Sequence, residues 1–322
     1  MQMTGLAEGH EQAVVDLFNR AYGRPLSAAL WRWRFLQNPV PGRPAKLMWD
    51  GDRLVGHYAV SPAYLRVGEQ SGLGSLSMTT MTDPDYAGRG VFVTLASELY
   101  QELRDRHEHL AVWGFPNLNS HYGFVNRLGW SDLLHLPMFV ADADLLAERC
   151  GAIGAATVTP IAGGFSAKHT GAAESLLTNR ITTVERRPEV LDWRFFAHPV
   201  FRYDAFEWER DGIHYYMVAR LVDSLREEGE TELNIVECRI PPDRRLLGQL
   251  LLGVLGEYIN RMPKRLNMIL SVHDPLSVEA ERLGFIPLDP VFRFGVLPLR
   301  ESEAEIADPR RWRLSMSDSD IF

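Results

Sequence analysis

Cysteine and lysine are both scarce in this chain. Of its 322 residues only Cys150 and Cys238 are cysteines, which excludes a disulfide framework and gives no spacing typical of a metal site. Lysine occurs only at Lys46, Lys168 and Lys264, so almost all of the positive charge is arginine. Acidic side chains outnumber basic ones by 42 to 34, and a net charge of −8 argues against general nucleic-acid binding. We predict neither a metal nor a nucleic-acid partner.

Long apolar runs are also missing. The longest, residues 250–259, is interrupted by Gly253, Gly256 and Glu257, whereas a membrane-spanning helix needs roughly 20 consecutive apolar residues. The first residues do not combine a basic segment with an apolar one, as a secretion leader does. We therefore expect a cytoplasmic protein with no membrane partner.

The chain contains two related halves. The segment Leu17-Phe18-Asn19-Arg20 recurs as Leu177-Thr178-Asn179-Arg180, and Trp33-Arg34-Phe35 recurs as Trp193-Arg194-Phe195. Both recurrences lie 160 positions later (177 minus 17, and 193 minus 33). Such a long repeat indicates a duplicated domain rather than a short structural motif.

The composition suits two globular domains, with 46% apolar and 24% charged residues. Small residues and glycines with little periodicity separate the halves and indicate a connector. We predict one domain over residues 1–145, a connector over residues 146–175 and a second domain over residues 176–322.

Each half predicts the same order of elements: helix, hairpin, strand, helix, strand, helix, strand. Asp50-Gly51-Asp52 and Asp211-Gly212 mark the two hairpins, because Asp-Gly pairs favour tight turns. Residues 134–140 and 291–297 are predicted as the last strand of each half. The pattern is typical of mixed α/β domains, in which an antiparallel meander leads into a parallel crossover.

Residues 77–92 carry the clearest chemical signal. A predicted strand runs into the turn Asp83-Pro84-Asp85-Tyr86-Ala87-Gly88-Arg89-Gly90, which opens a helix over residues 91–103. Backbone N–H groups at such a helix start can cradle an anion, and glycines let the main chain approach a pyrophosphate. Taken alone, the segment is equally compatible with a plain strand–turn–helix.

With this loop, residues 10–140 resemble the GNAT acyltransferase superfamily. There the loop before the third helix binds the coenzyme A pyrophosphate and reads Arg/Gln-x-x-Gly-x-Gly/Ala. Gly88 and Gly90 match the common form of the motif. Ala87 replaces its leading arginine, for which Arg89 could substitute, and Phe92 replaces its last small residue, which puts a bulky side chain near the pyrophosphate.

A second part of the resemblance follows the fifth strand. The family has an asparagine there and then a helix with a tyrosine four residues before its closing glycine. Asn117 supplies the asparagine, whereas Val125 stands at the tyrosine position. Tyr122 or His121, one turn earlier, could protonate the leaving thiolate instead, although Tyr122 is also compatible with a packed helix tyrosine.

The resemblance implies two tandem GNAT-like domains, each with a mixed, mostly antiparallel central sheet flanked by helices. It implies acetyl-CoA or a longer acyl-CoA as co-substrate, with the thioester near residues 81–82. The second half lacks the paired glycines, so one coenzyme site per chain is expected. The coenzyme-binding residues expected are Met81, Thr82, Ala87, Gly88, Arg89, Gly90, Val91, Phe92, Asn117 and Ser120.

Candidates for the general base are few. His57 is on a predicted strand near the expected cleft, but a satisfied structural histidine fits the same position. Asp83 precedes the loop and is better explained as a cap of its turn. In some tandem-GNAT families the C-terminal carboxylate is the base, which makes Phe322 a further candidate. The catalytic residues expected are therefore His57, Tyr122 and Phe322.

The acceptor is expected to be a small-molecule primary amine, bound by a monomer or homodimer. Asn38-Pro39, the run Gly114-Phe115-Pro116-Asn117 and the late Asp318-Ser319-Asp320 are similar to bacterial acyltransferases acting on nucleotide-linked amino sugars. An aminoglycoside, a polyamine or a protein amine is the alternative acceptor. A non-catalytic acyl-CoA-binding relative is the alternative from another functional class.

Overall fold

The structure, a computed structural model, describes residues 1–175, 181–290, 292–300 and 304–322. The repeated residues Leu177-Thr178-Asn179-Arg180 lie outside these ranges. The chain forms two compact units, each built from several segments. Unit 1 comprises Met1–Leu133, His198–Val200 and Arg293–Asp308, and unit 2 comprises Leu134–Ala197, Phe201–Phe292 and Pro309–Phe322.

The elements of the first 150 residues alternate between strands and helices. In chain order they are β1 Gln2–Gly5, α1 Glu11–Tyr22, α2 Ala28–Phe35, β2 Ala45–Asp50, β3 Arg53–Val67, β4 Gln70–Thr82, α3 Val91–Asp105, β5 Ala111–Gly114, α4 Leu118–Tyr122, β6 Ser131–Leu136, β7 Met138–Asp142 and α5 Ala143–Cys150.

The rest of the chain continues the alternation. Its elements are β8 Thr159–Pro160, α6 Ala167–Ser175, β9 Thr182–Val184, α7 Pro188–Leu191, β10 Asp204–Arg210, β11 Ile213–Asp223, β12 Thr231–Cys238, α8 Arg244–Glu257, β13 Arg265–Ile269, α9 Pro275–Leu283, β14 Ile286–Pro287 and β15 Phe292–Pro298. Short π-helical turns follow α4 (Gly123–Arg127) and α7 (Asp192–Phe196).

Both predicted hairpins form where the Asp-Gly pairs stand. β2 ends at Asp50 and β3 begins at Arg53, and their residues pair in antiparallel register. At the second hairpin, Asp211 (φ 54°) and Gly212 (φ 77°) join β10 to β11. Positive φ at both central residues is what a tight type I′ turn requires.

The sheet of unit 1 runs in the order β1-β2-β3-β4-β5-β15-β6. β4 and β5 are parallel, whereas β1–β2, β2–β3, β3–β4 and β5–β15 pair antiparallel. On one face α3 buries an apolar stripe that includes Leu95, Leu99 and Leu103, spaced as an amphipathic helix requires. On the other face α1 and α2 pack over Leu47, Leu54 and their neighbours.

The sheet of unit 2 runs in the order β14-β7-β13-β12-β11-β10-β8. Here β12 and β13 are the parallel neighbours, and the pairs β10–β11, β8–β10, β11–β12, β7–β13 and β7–β14 are antiparallel. One apolar core beneath α5, α8 and α9 includes Leu247, Leu251 and Leu283. The predicted fold class, two mixed and mostly antiparallel sheets flanked by helices, is confirmed.

The main strand order of each sheet includes a strand from the other half of the sequence. β15 lies beside β5 in unit 1, with Val296 opposite Trp113, and β7 lies beside β13 in unit 2, with Phe139 opposite Met268. Residues 134–140 were expected to close the first half as one strand. They are instead divided between β6, which stays in the first sheet, and β7, which enters the second. No helix in the described ranges is long and apolar enough to cross a membrane.

Candidate functional site

A cleft opens in unit 1 where β4 and β5 part. The two strands pair in parallel register only at Ser75 with Val112 and Leu76 with Trp113. β4 then continues beside β3 as far as Thr82, while β5 continues beside β15. The main chain of residues 77–82 is thus left along an open edge, where an extended ligand could add as a strand does.

A β-bulge lies in the middle of this edge. His57 pairs with Met81 and Ala59 with Met78, so Tyr58 faces two residues of β4 instead of one. Thr79 takes φ 54°, a left-handed value that is strained for a β-branched residue. The bulge re-aims the main chain just before residues 81–82, where the thioester was expected.

Three side chains hold the bulge in place. The imidazole Nδ1 of His57 lies 2.9 Å from the carbonyl oxygen of Thr79, and Arg34 Nη1 donates to Thr79 Oγ1 at 3.2 Å. The hydroxyl of Tyr22 donates to the carbonyl oxygen of Thr80 at 2.7 Å. Because these groups come from α1, α2 and β3, the geometry of the bulge depends on the packing of both helices.

His57 is a fully buried, neutral histidine. Its side chain has no exposed surface, and burial lowers its pKa to about 4. A carbonyl oxygen only accepts hydrogen bonds, so Nδ1 carries the proton. Nε2 has no hydrogen-bond partner among the described residues. The structure places His57 behind the open edge of β4, where it contacts the bulge; its predicted role as a base stays a prediction.

Asp83 anchors the loop that follows β4. Its carboxylate caps the turn Pro84–Tyr86 and forms ion pairs with Arg20 and Arg53, each at 2.8 Å. Burial alone would raise the pKa of Asp83, but the hydrogen bonds from the two guanidinium groups outweigh it and hold the pKa below its usual value. The expected turn cap is observed, and sequence reasoning missed the two arginines because they are distant along the chain.

The loop ends in an uncapped helix start. Gly88 and Gly90 take φ values of 74° and 76°, and Gly90 is the N-cap residue of α3. Since glycine offers no side chain to cap them, the first-turn N–H groups of the 15-residue helix remain available, together with the positive end of its dipole. A Cβ atom on either glycine would meet nothing within 4 Å, so the space over the loop is open. The residues fit a pyrophosphate.

Gly56, which the sequence did not single out, lets α3 approach the sheet. A Cβ atom there would lie 2.4 Å from Val91 Cγ1 and 3.0 Å from Leu95 Cδ1. Only a glycine on β3 allows this contact, so Gly56 fixes the position of the helix start relative to β4.

Arg89 and Phe92 each contact a neighbouring aromatic ring. The guanidinium of Arg89 lies over the ring of Tyr86 at 4.8 Å. The ring of Phe92 packs against Phe124 at 4.9 Å and fills the space that Gly123 leaves free. The ring of Phe92 thus packs on Gly123, the first residue of the π-helical turn after α4.

The start of α4 follows β5. Asn117 caps this helix: its Oδ1 accepts from the N–H groups of Asn119 and Ser120, both at 3.0 Å. Tyr122 is 63% exposed at the end of α4, and His121 Nε2 lies 2.8 Å from Asp132 Oδ2. β4 and β5 therefore bring residues 81–92 and 117–122 to the two sides of one cleft.

Phe322 belongs to unit 2. Its main-chain oxygen accepts hydrogen bonds from Tyr203, at 2.8 Å, and from Arg194. Its role as a base stays a prediction, as do the other expected site residues. Among the described residues, no group of three or more His, Cys, Asp or Glu side chains is arranged to hold a metal ion.

Residues 3–132 match the family model described as an acetyltransferase (GNAT) domain. A search of curated proteins gives no match. Solved structures with the same fold include a GCN5-related N-acetyltransferase from Kribbella flavida, with a TM-score of 0.67 and 17% identity over 92% of this chain and 72% of that one. A GCN5-related N-acetyltransferase from Anabaena variabilis gives 0.66 and 10% over 93% and 73%.

A third similar structure is a conserved protein of unknown function from Enterococcus faecalis V583, described as a probable N-acyltransferase. Its TM-score is 0.64 at 12% identity, over 92% of this chain and 72% of that chain. At such identities the likeness establishes the fold: the chain has the GNAT acetyltransferase fold, and residues 3–132 carry the matching domain.

Proposed function

We propose that the protein is an acyl-CoA-dependent N-acyltransferase that uses the β4/β5 cleft of unit 1. The observation that carries this proposal is the uncapped start of α3, with its two left-handed glycines under open space. It directly follows a strand edge that has parted from its neighbour. GNAT domains use acetyl-CoA, and the family match covers the same residues.

In this proposal the pyrophosphate lies on the N–H groups of Gly88, Gly90 and the first turn of α3. Arg89 lies close enough to contribute charge if its side chain leaves Tyr86. The acyl-pantetheine arm extends along the edge of residues 77–82, where main-chain groups bind it as an added strand. This order puts the thioester beyond the bulge, near Met81 and Thr82.

The coenzyme supplies an activated acyl group as a thioester. The neutral amine nitrogen attacks its carbonyl carbon, a C–N bond forms and the C–S bond breaks. A main-chain N–H near residues 81–82 stabilises the developing oxyanion, and the amine loses one proton to water or a base. The leaving thiolate takes a proton from Tyr122 or His121.

Within this chemistry His57 is better suited to positioning than to proton transfer. Its Nδ1–H is committed to Thr79, and Nε2 is sealed from solvent. A sugar amine is less basic than a lysine amine, so water can accept its proton without a strong protein base. Phe322 remains the protein-derived alternative.

We propose a primary amine as acceptor and a nucleotide-linked amino sugar as its first candidate. Support for the sugar comes only from the sequence similarities at Asn38-Pro39, residues 114–117 and residues 318–320. Acyl-CoA thioesters of several lengths would be tested against nucleotide-linked amino sugars, aminoglycosides, polyamines and peptides, with thiol release as the readout. Turnover of peptides or polyamines alone would contradict this choice of acceptor.

Coenzyme binding tests the broader proposal. Calorimetry should detect coenzyme A binding to the natural chain and none to Gly90→Trp, whose side chain fills the cradle. Gly154→Trp is the matched control, because Gly154 has φ 80° and open space above it but lies in unit 2. Absence of binding to the natural chain would sink the enzyme proposal.

A further inference from the structure

Unit 2 contains a counterpart of the coenzyme cleft. Strands β11-β12-β13 repeat the order of β3-β4-β5, with the parallel pair at the same place. β12 and β13 pair only from Glu232 with Arg265 to Asn234 with Asn267, and β12 then continues beside β11 to Cys238. The loop before α8 ends with Pro242-Asp243, which corresponds to Pro84-Asp85 in the repeat.

The end of the chain lies across this second cleft. The guanidinium of Arg313 donates to the carbonyl oxygen of Ile240, just past β12. Its Nε lies 3.4 Å from Asp274 Oδ2, and Asp274 is the N-cap of α9, which follows β13. Arg313 therefore bridges the two sides of the cleft, and its own N–H is held by the carbonyl oxygen of Thr182 at 3.0 Å.

A buried ion cluster fixes the residues that follow. Arg186 pairs with Glu237 at 2.6 Å and with Asp318 at 2.7 Å, and Arg239 pairs with Glu237 at 3.1 Å. All four side chains are at most 5% exposed. Two arginines thus balance two carboxylates. Release of the tail, residues 312–318, would remove Asp318 and leave the remaining buried charges unbalanced, which is strongly unfavourable.

Little room remains in the cleft. A cavity of about 10 Å³ is left, with Cys238, Met268, Arg313 and Leu314 among its lining residues. That volume holds about one water molecule. An acyl-pantetheine arm would need a channel several times larger, so it could enter only if the tail left.

The N–H groups at the start of α8 are occupied as well. Asp243 caps α8: its carboxylate accepts from the N–H groups of Arg245 at 2.8 Å and Leu246 at 3.0 Å. In unit 1 the corresponding cap is Gly90, which leaves those groups free. A carboxylate already occupies the position of an anion at α8, and its charge would repel a phosphate.

We infer that residues 312–318 occupy the cleft of unit 2 in place of a coenzyme, so each chain binds one thioester coenzyme, in unit 1. The stoichiometry rests on the proposed function, whereas the closure of the second cleft does not. The duplicated domain then acts as a fixed body whose ligand is a segment of its own chain.

The rate of Cys238 modification tests whether the cleft of unit 2 is closed, and it needs no coenzyme. It lines the remaining cavity, and burial raises its pKa to about 12, so it should react slowly with a small maleimide. In Arg313→Ala the bridge is lost, and modification of Cys238 should accelerate at least tenfold. Cys150, buried under α8 away from the cavity, should stay slow and thereby show that the fold is intact. Fast modification of Cys238 in the natural chain would overturn the closure.

Calorimetric titration with coenzyme A tests the stoichiometry and does not depend on the Arg313 variant folding. The expected result is one site per chain, lost completely in Gly90→Trp. Two sites, or binding that survives in Gly90→Trp, would overturn the inference. If no coenzyme binds while Cys238 stays protected, the proposed function fails and the closed second cleft is supported.

Discussion

His57 Nδ1 lies 2.9 Å from the carbonyl oxygen of Thr79, the one left-handed non-glycine residue among the described residues of β4. A fully buried donor is thus committed to a strained main-chain position. A strained main-chain conformation of this kind persists only when contacts with the surrounding structure hold it in place. We conclude that His57 sets the direction of the β4 edge on which the reaction is proposed to occur.

We predict that His57→Ala lowers kcat by roughly 10- to 100-fold, because small displacements of positioned groups cost that much. His57→Asn should recover most of the loss, since the asparagine amide can donate from nearly the same place as Nδ1. Steady-state kinetics of the two variants checks this expectation.

His109→Ala is the matched control. His109 is buried in the same unit, and its Nδ1 lies 2.9 Å from Ser75 Oγ, at a distance along β4 from the bulge. Both alanine variants should lose stability, but only His57→Ala should lose kcat. Equal losses of kcat in the two would show that His57 acts through stability alone.

These two histidines also predict how stability depends on pH. Burial lowers the pKa of each to about 4, whereas the unfolded chain titrates near 6.5. The unfolded state therefore binds more protons as the pH falls, and the stability present above pH 6.5 is lost towards pH 4. The loss should reach roughly 2 kcal/mol per histidine by pH 5. Urea unfolding at pH 7.5 and 5 measures it, and the double variant His57→Asn/His109→Asn should flatten the dependence.

The contact between Gly56 and Val91 predicts a coupled pair. Gly56→Ala should displace α3, cost about 1–3 kcal/mol and weaken coenzyme binding, because its Cβ would lie 2.4 Å from Val91 Cγ1. Adding Val91→Ala should restore part of both losses. A double-mutant cycle of stability and coenzyme affinity measures the coupling. Strictly additive effects would mean that the contact does not position the helix.

Local signals in the sequence predicted several backbone features around this site. The glycines at 88 and 90, the apolar stripe of α3 and the turn cap at Asp83 depend on neighbours within a few residues. The hairpin turns at the two Asp-Gly pairs also depend only on neighbouring residues. The contacts of His57, Arg34 and Tyr22 with the bulge were not predictable, because they join residues that only the packing of α1 and α2 brings together.

The sequence also did not predict that β7 joins the second sheet and β15 the first. Both segments have a strand pattern, and neither pattern says which sheet the strand joins. Residues 134–140 therefore looked like the last strand of the first half. The choice is made by long-range packing: Val296 is fully buried beside β5, and Phe139 is fully buried beside β13.

This exchange predicts that residues 1–145 do not fold alone. Without β15, the apolar side of β5 and the β6 edge would face water, and burial of Val296 and Leu299 would be lost. The isolated fragment should show no cooperative thermal transition and no coenzyme binding. The full chain provides the control, and a cooperative transition in the fragment would contradict the prediction.

Tyr122 offers the sharpest test of proton transfer to the leaving thiolate. Its side chain is 63% exposed, so Tyr122→Phe should leave the melting temperature unchanged. If its hydroxyl is the acid, kcat should fall about 100-fold at unchanged coenzyme affinity. A thioester with a more acidic thiol needs less assistance and should lose less rate. His121→Gln is the companion variant, because His121 directly precedes Tyr122 and its imidazole is paired with Asp132. Full activity in both variants would place the acid elsewhere or show that the thiolate leaves without one.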